Sequence, residues 1–491
     1  PVAFVDDDAS MQKSVVTGVE VFKPSELPRL VEEEEAKVLL LALPSQSRRR
    51  RQEILTILEP LAVRVMTVPD ISDLVSGAAR VQDVRDVDAS DLLGRDPVPP
   101  IPDLFDASIR GKTVMVTGAG GSIGSELCRQ IVMLGPRQLV LLEMSELALY
   151  SIDRELSLLC EREDLGVQLV SLLGSAHHKR RVVEIMQAYG VQTVYHAAAY
   201  KHVPIVEQNM IEGIHNNVIS TWHTAEAALQ CEVETFVLIS TDKAVNPTNV
   251  MGATKRMAEI VLQGMSDRGG RTRFCMVRFG NVLESSGSVV PVFRDQIRTG
   301  GPVTVTHPEV TRYFMTIPEA SQLVLQAGAM AKGGDVFVLD MGKPIRIDDL
   351  ARRMVNLSGF TVRDKDHPEG DIEVRYTGLR PAEKLFEELL IGNNVTGTEH
   401  PMIMRAMEHS LPWVNVESLL SELLAAMNDY DVARARELLI EGVCEYKPAG
   451  SPADLVWCVR EEKRHRQGKV TRLPDRRSGT QREGSSPSAG S

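Results

Sequence analysis

Four residues of strand character, Thr113-Val114-Met115-Val116, run straight into Thr117-Gly118-Ala119-Gly120-Gly121-Ser122-Ile123-Gly124. An apolar stripe at helical spacing follows through Ile123, Leu127, Ile131 and Leu134. A strand that turns this tightly into a helix has few folds open to it. Glycine permits the turn, lets the backbone approach a pyrophosphate and leaves that anion on the helix N-terminus. A second strand, Gln138 to Leu142, ends in Glu143. An acidic side chain about 20 residues past such a loop accepts the ribose hydroxyls of an adenosine and disfavours a 2′-phosphate. The reading is dinucleotide binding through Gly118, Gly121, Ser122, Ile123, Gly124 and Glu143. NAD is preferred, with NADP left open. The plain alternative is a glycine turn needed only for packing.

The rest of the chain alternates strand-length apolar runs with helical patterns, which predicts an α/β fold with a doubly wound parallel sheet. Further strands are expected at Gln168 to Leu173, Thr193 to His196, Phe236 to Ile239 and Phe274 to Val277. Residues 1–95 read as a smaller Rossmann-like unit, with strands at Val38 to Leu43 and Val63 to Val68 and a helix capped by Ser45 or Ser47. That unit carries no glycine-rich phosphate loop and no catalytic constellation, so a structural or regulatory role is expected. Prolines 97, 99, 100 and 102 mark 96–110 as a linker. Residues 111–399 form the expected dinucleotide-binding domain with a smaller α/β substrate lobe, and 400–462 a helical region serving that lobe or an oligomer contact. Residues 463–491, basic and then rich in Ser, Gly and Pro, form an expected disordered tail.

Composition narrows the function. A net charge of −12 and 4% aromatic residues argue against nucleic-acid binding. The six cysteines have no C-x-x-C spacing, so neither a zinc site nor a disulfide framework is expected, and no metal. The basic run Arg48 to Arg51 reads as a solvated helix face, with a phosphate or lipid contact as the second option. The apolar runs are too short to span a bilayer. The chain begins at Pro1 without a methionine, so it is expected to be a piece of a longer protein.

Chemistry is expected where the run Phe236 to Ile239 ends in Ser240-Thr241-Asp242-Lys243. Ligands of open α/β sheets bind outside the carboxyl ends of the strands. A hydroxyl, a carboxylate and an amine side by side there suit proton transfer; the plain alternative is a polar turn capped by Asp242. At the preceding strand exit, Ala197 and Ala198 let a cofactor lie against the backbone. Lys201 is in place to reach a phosphate, against a merely solvated lysine, and His202 reads as structural.

With Asn217-Val218 and with Lys255 in Met251-Gly252-Ala253-Thr254-Lys255, these residues resemble the extended short-chain dehydrogenase/reductase family. In that family a Ser/Thr, a tyrosine and a lysine four residues later form the active site, on one helix face. The resemblance implies that Thr241 and Lys255 are catalytic, and that Lys255 with Asn217 also serves the cofactor. Met251 stands where the tyrosine is expected. A thioether takes no proton, so either the enzyme is inactive or other groups do the proton work. Sugar-nucleotide 4,6-dehydratases of the family carry an acid directly after the threonine. The phrases Ala197 to Pro204, Ser240 to Pro247, Arg278 to Leu283, Val310 to Thr316 and Arg380 to Leu385 resemble the membrane-anchored UDP-N-acetylglucosamine 4,6-dehydratases of bacterial polysaccharide synthesis. The resemblance covers roughly residues 1–445. Gly174-Ser175 in place of Gly-Asp, Met210 in place of proline and Ala382 in place of glycine depart from it.

The resemblance implies a redox-neutral removal of water from a UDP-N-acetylhexosamine, UDP-GlcNAc first among them. Asp242 is then the C6 acid and Lys243, its pKa lowered, the C5 base. Asn281, Ser286, Arg312, Arg380 and Glu383 are the expected substrate contacts, and Arg294 is as readily a surface residue. A homo-oligomer is expected, and a place on the cytoplasmic side of the bacterial inner membrane through a preceding segment. The competing readings are an NAD-dependent nucleotide-sugar epimerase and a non-catalytic nucleotide sensor.

Overall fold

In the computed structural model, which describes residues 1–43, 47–68, 84–94, 96, 98–389 and 395–470, the predicted strand–turn–helix unit opens the central sheet. Strands β1 (Thr113–Thr117), β2 (Gln138–Glu143), β3 (Gln168–Leu173), β4 (Thr193–His196), β5 (Thr235–Ile239), β6 (Arg273–Arg278) and β7 (Asp335–Leu339) run parallel. Strands β8 (Val395–Gly397) and β9 (Ile403–Ala406) complete one edge antiparallel. Among the described residues the order is β3-β2-β1-β4-β5-β6-β7-β9-β8. Chain direction across the sheet therefore reverses between β1 and β4, which is where a doubly wound sheet opens its ligand crevice.

Alternation along the strands feeds two cores. Phe236 and Leu238 of β5 face one core and Val237 the other, and all three are fully buried. Full burial of such a side chain contributes roughly 1.5–3 kcal/mol. Helices α1 (Ser122–Met133) and α2 (Glu146–Arg162) cover one face. Helices α3 (Lys179–Tyr189), α4 (Ser220–Gln230) and α5 (Val250–Asp267) cover the other, and α6 (Ile317–Ala329) returns to the first. This two-sided burial explains why the strands read as continuous apolar runs.

In the substrate lobe, Val303–Val305, Ile372–Tyr376 and Val362–Arg363 form a small sheet packed by α7 (Ile347–Leu357). The described residues before 95 do not stand apart from it. In this segment Val38–Leu41 pairs parallel with Arg64–Thr67, and helix Arg48–Leu58 packs Leu55 and Leu58 into one core with Ile347 and Leu350 of α7. Arg353 on α7 pairs with Glu59 at 3.2 Å. Ser47 caps the Arg48–Leu58 helix by accepting from the Arg50 N–H, while Ser45 lies outside the described residues. The basic run is a paired helix face: Arg50 meets Asp7 at 2.7 Å and Glu53 at 2.9 Å, and Arg51 meets Asp91 at 3.4 Å.

Two expected boundaries move. The proline-rich linker is a strap docked on α6, since the Ile101 N–H donates to Gln326 Oε1 at 2.8 Å, Gln322 Nε2 donates to Val98 O at 3.0 Å, and Ile109 is fully buried. Proline supplies the extended stretch but also starts the helix Pro102–Asp106, where its missing N–H costs nothing. The tail expected from Lys463 is instead helical as far as Val470, in α10 (Leu455–Val470). Asp454 starts that helix by accepting from the Val456 and Trp457 N–H groups, and its Arg, Glu, Lys and Gln residues are good helix formers. Residues 471–491 lie outside the described residues.

The C-terminal helices α8 (Trp413–Asn428) and α9 (Val432–Gly442) lie on α5 rather than on the substrate lobe. Between these helices and the sheet, sixteen of the eighteen residues of α5 are buried.

Candidate active site

The glycine loop is shaped by close approach. Gly118 has φ +65°, and a β-carbon there would stand 2.7 Å from the backbone nitrogen of Ala198. At Gly124, inside α1, a β-carbon would stand 2.0 Å from the Gly118 oxygen. Only glycine lets the helix start this near the loop and the loop this near the β4 exit. Gly121 is the N-cap of α1, and Ser122 and Ile123 are its first residues, with backbone N–H groups that no helical carbonyl can take. Glu143 ends β2 beneath the loop: Oε2 accepts from the Gly120 N–H at 3.0 Å, and Oε1 from Met144 and Ser145 at 2.9 and 3.0 Å. A cradle closed to side chains, free donors at a helix start and a carboxylate below it fit a dinucleotide.

The β4 exit forms the opposite wall. Thr117 Oγ1 bonds His196 Nδ1 at 2.7 Å and accepts from the Ala198 N–H, joining β1 to β4 just below Ala197. Lys201 is exposed. Asn217 lies in a π-helical stretch, His215–Ile219, and is consumed by the protein. Its Oδ1 accepts from the Tyr200 N–H at 2.8 Å, and Nδ2 donates to Tyr200 O at 3.1 Å and Thr254 Oγ1 at 3.0 Å. Both polar atoms of its side chain are bonded within the protein, and they hold the wall of the crevice in place. His202 lies against Gly287, whose β-carbon would meet its ring at 2.6 Å.

At the β5 exit, Thr241 caps the turn Asp242–Ala244. The fully buried Asp242 accepts at Oδ1 from Thr241 Oγ1 at 2.9 Å and from Lys243 Nζ at 3.0 Å. Its Oδ2 is buried without a hydrogen-bond partner. Lys243 Nζ also donates to Asn281 Oδ1 at 3.1 Å and lies 3.8 Å from Glu387 Oε1. Burial pulls the Lys243 pKa down, but Asp242 and Glu387 outweigh it, and the ammonium is held above the ordinary lysine range. The expected depression of Lys243 is thus corrected. The depressed lysine is Lys255, which burial brings to about 8 against the upward pull of Glu259. Met251 is buried one turn before it on α5, and its thioether belongs to the apolar core.

Behind these groups is a buried ionic staple that nothing in the sequence reading anticipated. Glu259 on α5 accepts from Ser240 Oγ at 2.6 Å, from Arg278 Nε and Nη2 at 2.8 and 2.6 Å, and from Arg256 Nη1 at 3.2 Å. Arg278 ends β6 and reaches on to Glu408. The ends of β5 and β6 are thereby tied to the helix that carries Lys255.

The expected substrate residues divide. Arg312 Nη2 donates to Glu383 Oε1 at 3.0 Å, and Arg312 Nε lies 3.8 Å from Glu387. The Ser286 N–H donates to Ser122 Oγ at 3.3 Å, which links the substrate lobe to the start of α1. Asn281, Arg312, Glu383 and Lys243 therefore share one network. Arg380 is exposed, with its backbone N–H bonded to Glu383 Oε2, and Arg294 forms a surface pair with Glu284. The residue missed is Glu387, whose side chain is 5% exposed and whose Oε2 is buried without a hydrogen-bond partner. Burial, with Asp242 adding to it, raises its pKa against the pull of Lys243, Arg312 and Lys384. It comes two residues after the stretch Arg380 to Leu385 and has Glu388 beside it, so only its place in space distinguishes it. Among the described residues no cluster of ligating side chains could hold a metal, and no helix is long and apolar enough to cross a membrane.

Residues 114–408 match the model of a family described as polysaccharide biosynthesis protein. The capsular polysaccharide biosynthesis protein CapD of Staphylococcus aureus is 49% identical over 397 residues, covering 80% of this chain; the chain spans 65% of CapD. A UDP-glucose 4-epimerase of Rickettsia rickettsii is 30% identical, covering 68% of this chain and 94% of that protein. Among solved structures, Pen from Bacillus thuringiensis matches at 28% identity with a TM-score of 0.53, covering 62% of this chain and 90% of that one.

Proposed function

Since the chain belongs to the polysaccharide biosynthesis protein family, we propose that it is an NAD-dependent 4,6-dehydratase of a UDP-N-acetylhexosamine, with UDP-GlcNAc as the first substrate to test. The observation that carries this reading is the set of proton-handling groups at the β5 exit. Thr241, Asp242 and Lys243 converge beside the crevice while the helix position that would hold a tyrosine holds the core residue Met251. Removing water from C5 and C6 needs both an acid and a base, which this exit supplies without a tyrosine.

The glycine loop, the start of α1 and Glu143 would hold the dinucleotide, and Lys255 the nicotinamide ribose. Held there, the nicotinamide would supply reversible hydride transfer between itself and the sugar carbons. The proton work falls to the chain. Thr241 aligns the C4 hydroxyl. Asp242 takes its proton at Oδ2, an acceptor with no protein partner. The carboxylic acid so formed protonates the C6 hydroxyl as it leaves. Lys243, as a neutral amine, takes the C5 proton that the C4 ketone has acidified and later returns one to C5. Arg312, Glu383 and Asn281 bind and orient the sugar nucleotide, with guanidinium suited to the diphosphate.

A nucleotide-sugar epimerase is the second reading, favoured by the likeness to the Rickettsia protein. It needs a partner for the C4 proton but no C5/C6 pair, so the buried Asp242–Lys243 pair counts for dehydration. Incubation with UDP-GlcNAc and NAD, read by mass spectrometry and NMR, separates the readings. Loss of one water is expected, unchanged mass with altered C4 configuration indicates epimerisation, and bound cofactor without turnover indicates a sensor. Asp242→Asn is expected to abolish water loss while keeping the cofactor; normal turnover by that variant would overturn the assignment.

A further inference from the structure

The proposed reaction asks Lys243 to meet C5 as a neutral amine, yet Lys243 rests in an ion pair with Asp242. Something must take its third proton before it can act. Asp242 is not free to do so, because its own acceptor is committed to the C4 hydroxyl proton. Among the described residues one other carboxylate faces Lys243. The segment after Arg380 folds back over the β5 exit and is fastened there. Thr248 Oγ1 donates to Ala382 O at 2.9 Å, Lys384 Nζ donates to Val245 O at 2.9 Å, and Asn246 Nδ2 donates to Glu388 Oε2 at 2.6 Å. These fastenings deliver Glu387 into the site, with Oε1 3.8 Å from Lys243 Nζ and Oε2 buried and unbonded. A buried carboxylate oxygen without a partner is destabilising, and this one belongs to a carboxylate that faces the Lys243 ammonium.

We infer that Glu387 is the acceptor that relieves Lys243 of its ammonium proton, so that Lys243 becomes the C5 base. The role rests on the dehydratase reading and acts through Lys243. The protons balance. When Asp242 takes the C4 hydroxyl proton it becomes neutral, and Lys243 loses the counter-charge that held its own proton. That proton passes from Lys243 Nζ to Glu387. Neutral Lys243 takes the C5 proton and gives it back to C5 after C6 has been reduced. Asp242, having protonated the departing hydroxyl, is again an anion, and Glu387 returns its proton to Lys243. The charged groups facing Glu387 fit the sequence of events: Asp242 and burial push it towards the protonated form, and Lys243, Arg312 and Lys384 oppose this.

The test is Glu387→Gln in the full chain with NAD and UDP-GlcNAc, followed by absorbance at the reduced nicotinamide band, product formation across pH and deuterium uptake at C5 in heavy water. The expected result has three parts. Transient C4 oxidation stays near wild type; C5 exchange and product formation fall at least about a hundredfold at neutral pH; and both recover about tenfold per pH unit towards alkaline pH, as solvent base replaces Glu387. Glu387→Asp keeps the wild-type pH profile at a lower rate. A Glu387→Gln enzyme with the wild-type rate and profile overturns the inference. So does a variant that loses C4 oxidation in the same proportion, which marks a merely structural role. Wild-type chain that releases no water refutes the dehydratase reading, and the Glu387 role with it; a dehydrating wild type matched by the variant refutes the Glu387 role alone.

Discussion

Replacing Glu259 by alanine removes the centre of the staple behind the β5 and β6 exits. Four hydrogen bonds end on its carboxylate, one from Ser240, two from Arg278 and one from Arg256. Both guanidiniums are fully buried. Without Glu259 they keep Glu408, and Arg256 keeps the carbonyl of His409 at 2.7 Å. Breaking a buried ion pair by removing one partner costs about 3–5 kcal/mol. Unfolding entropy of ~2.1 cal/mol/K per residue, over roughly 350 cooperating residues, gives ~0.7 kcal/mol/K. The melting temperature at pH 7.5 should therefore fall by about 4–7 °C, measured by circular dichroism. The effect is pH-dependent in a definite direction. Burial raises the Glu259 pKa, but the pairs with Arg278 and Arg256 and the Ser240 bond outweigh it, so its pKa lies below the usual glutamate range. Its stabilisation is complete above the unfolded pKa of about 4.3 and is lost as pH falls through the folded value. The gap between wild type and variant should close in acid. A melting temperature within about 1 °C of wild type at pH 7.5 would refute the staple.

Lys255→Met should stabilise the cofactor-free protein while abolishing turnover. The buried ammonium, with its pKa near 8 against about 10.4 unfolded, opposes folding in full below pH 8, and the opposition fades towards pH 10.4, so the unfolding free energy from urea titration should rise on the order of 1–3 kcal/mol at pH 7 and little at pH 10; a variant less stable at pH 7 contradicts this. Gly124→Ala should cost cofactor affinity at least tenfold by calorimetry, because its β-carbon meets the Gly118 oxygen at 2.0 Å; unchanged affinity would remove the loop from the binding account. Met251→Leu, a swap of similar volume within the core, should keep turnover within a few-fold of wild type, and complete loss would assign the thioether a chemical role.

The parallel sheet and its glycine loop were legible because their signals are local: an apolar strand, a glycine at positive φ and a helical stripe lie within a few residues of one another. The β5 exit was legible for the same reason, since Thr241, Asp242 and Lys243 adjoin in sequence and in space. What could not be read depends on contacts across long stretches of chain. Glu259 meets Arg278 and Arg278 meets Glu408 from different elements, and a charged residue within a helix such as Glu259 reads as surface until its partners are known. Glu387 has the same character. The direction of the Lys243 shift was misjudged because it is set by that distant carboxylate as well as by its neighbour Asp242. The boundary at 463 moved because composition describes solvation, whereas the Asp454 cap and helix propensity decide whether a short polar segment turns helical.

The central claim, dehydration with return of the C4 hydrogen to C6, is tested most directly with UDP-GlcNAc deuterated at C4. The account predicts a product lighter by one water that carries the deuterium in its C6 methyl group, seen by mass spectrometry and deuterium NMR. A product of unchanged mass with deuterium still at C4, or one that has lost water without deuterium at C6, would contradict it.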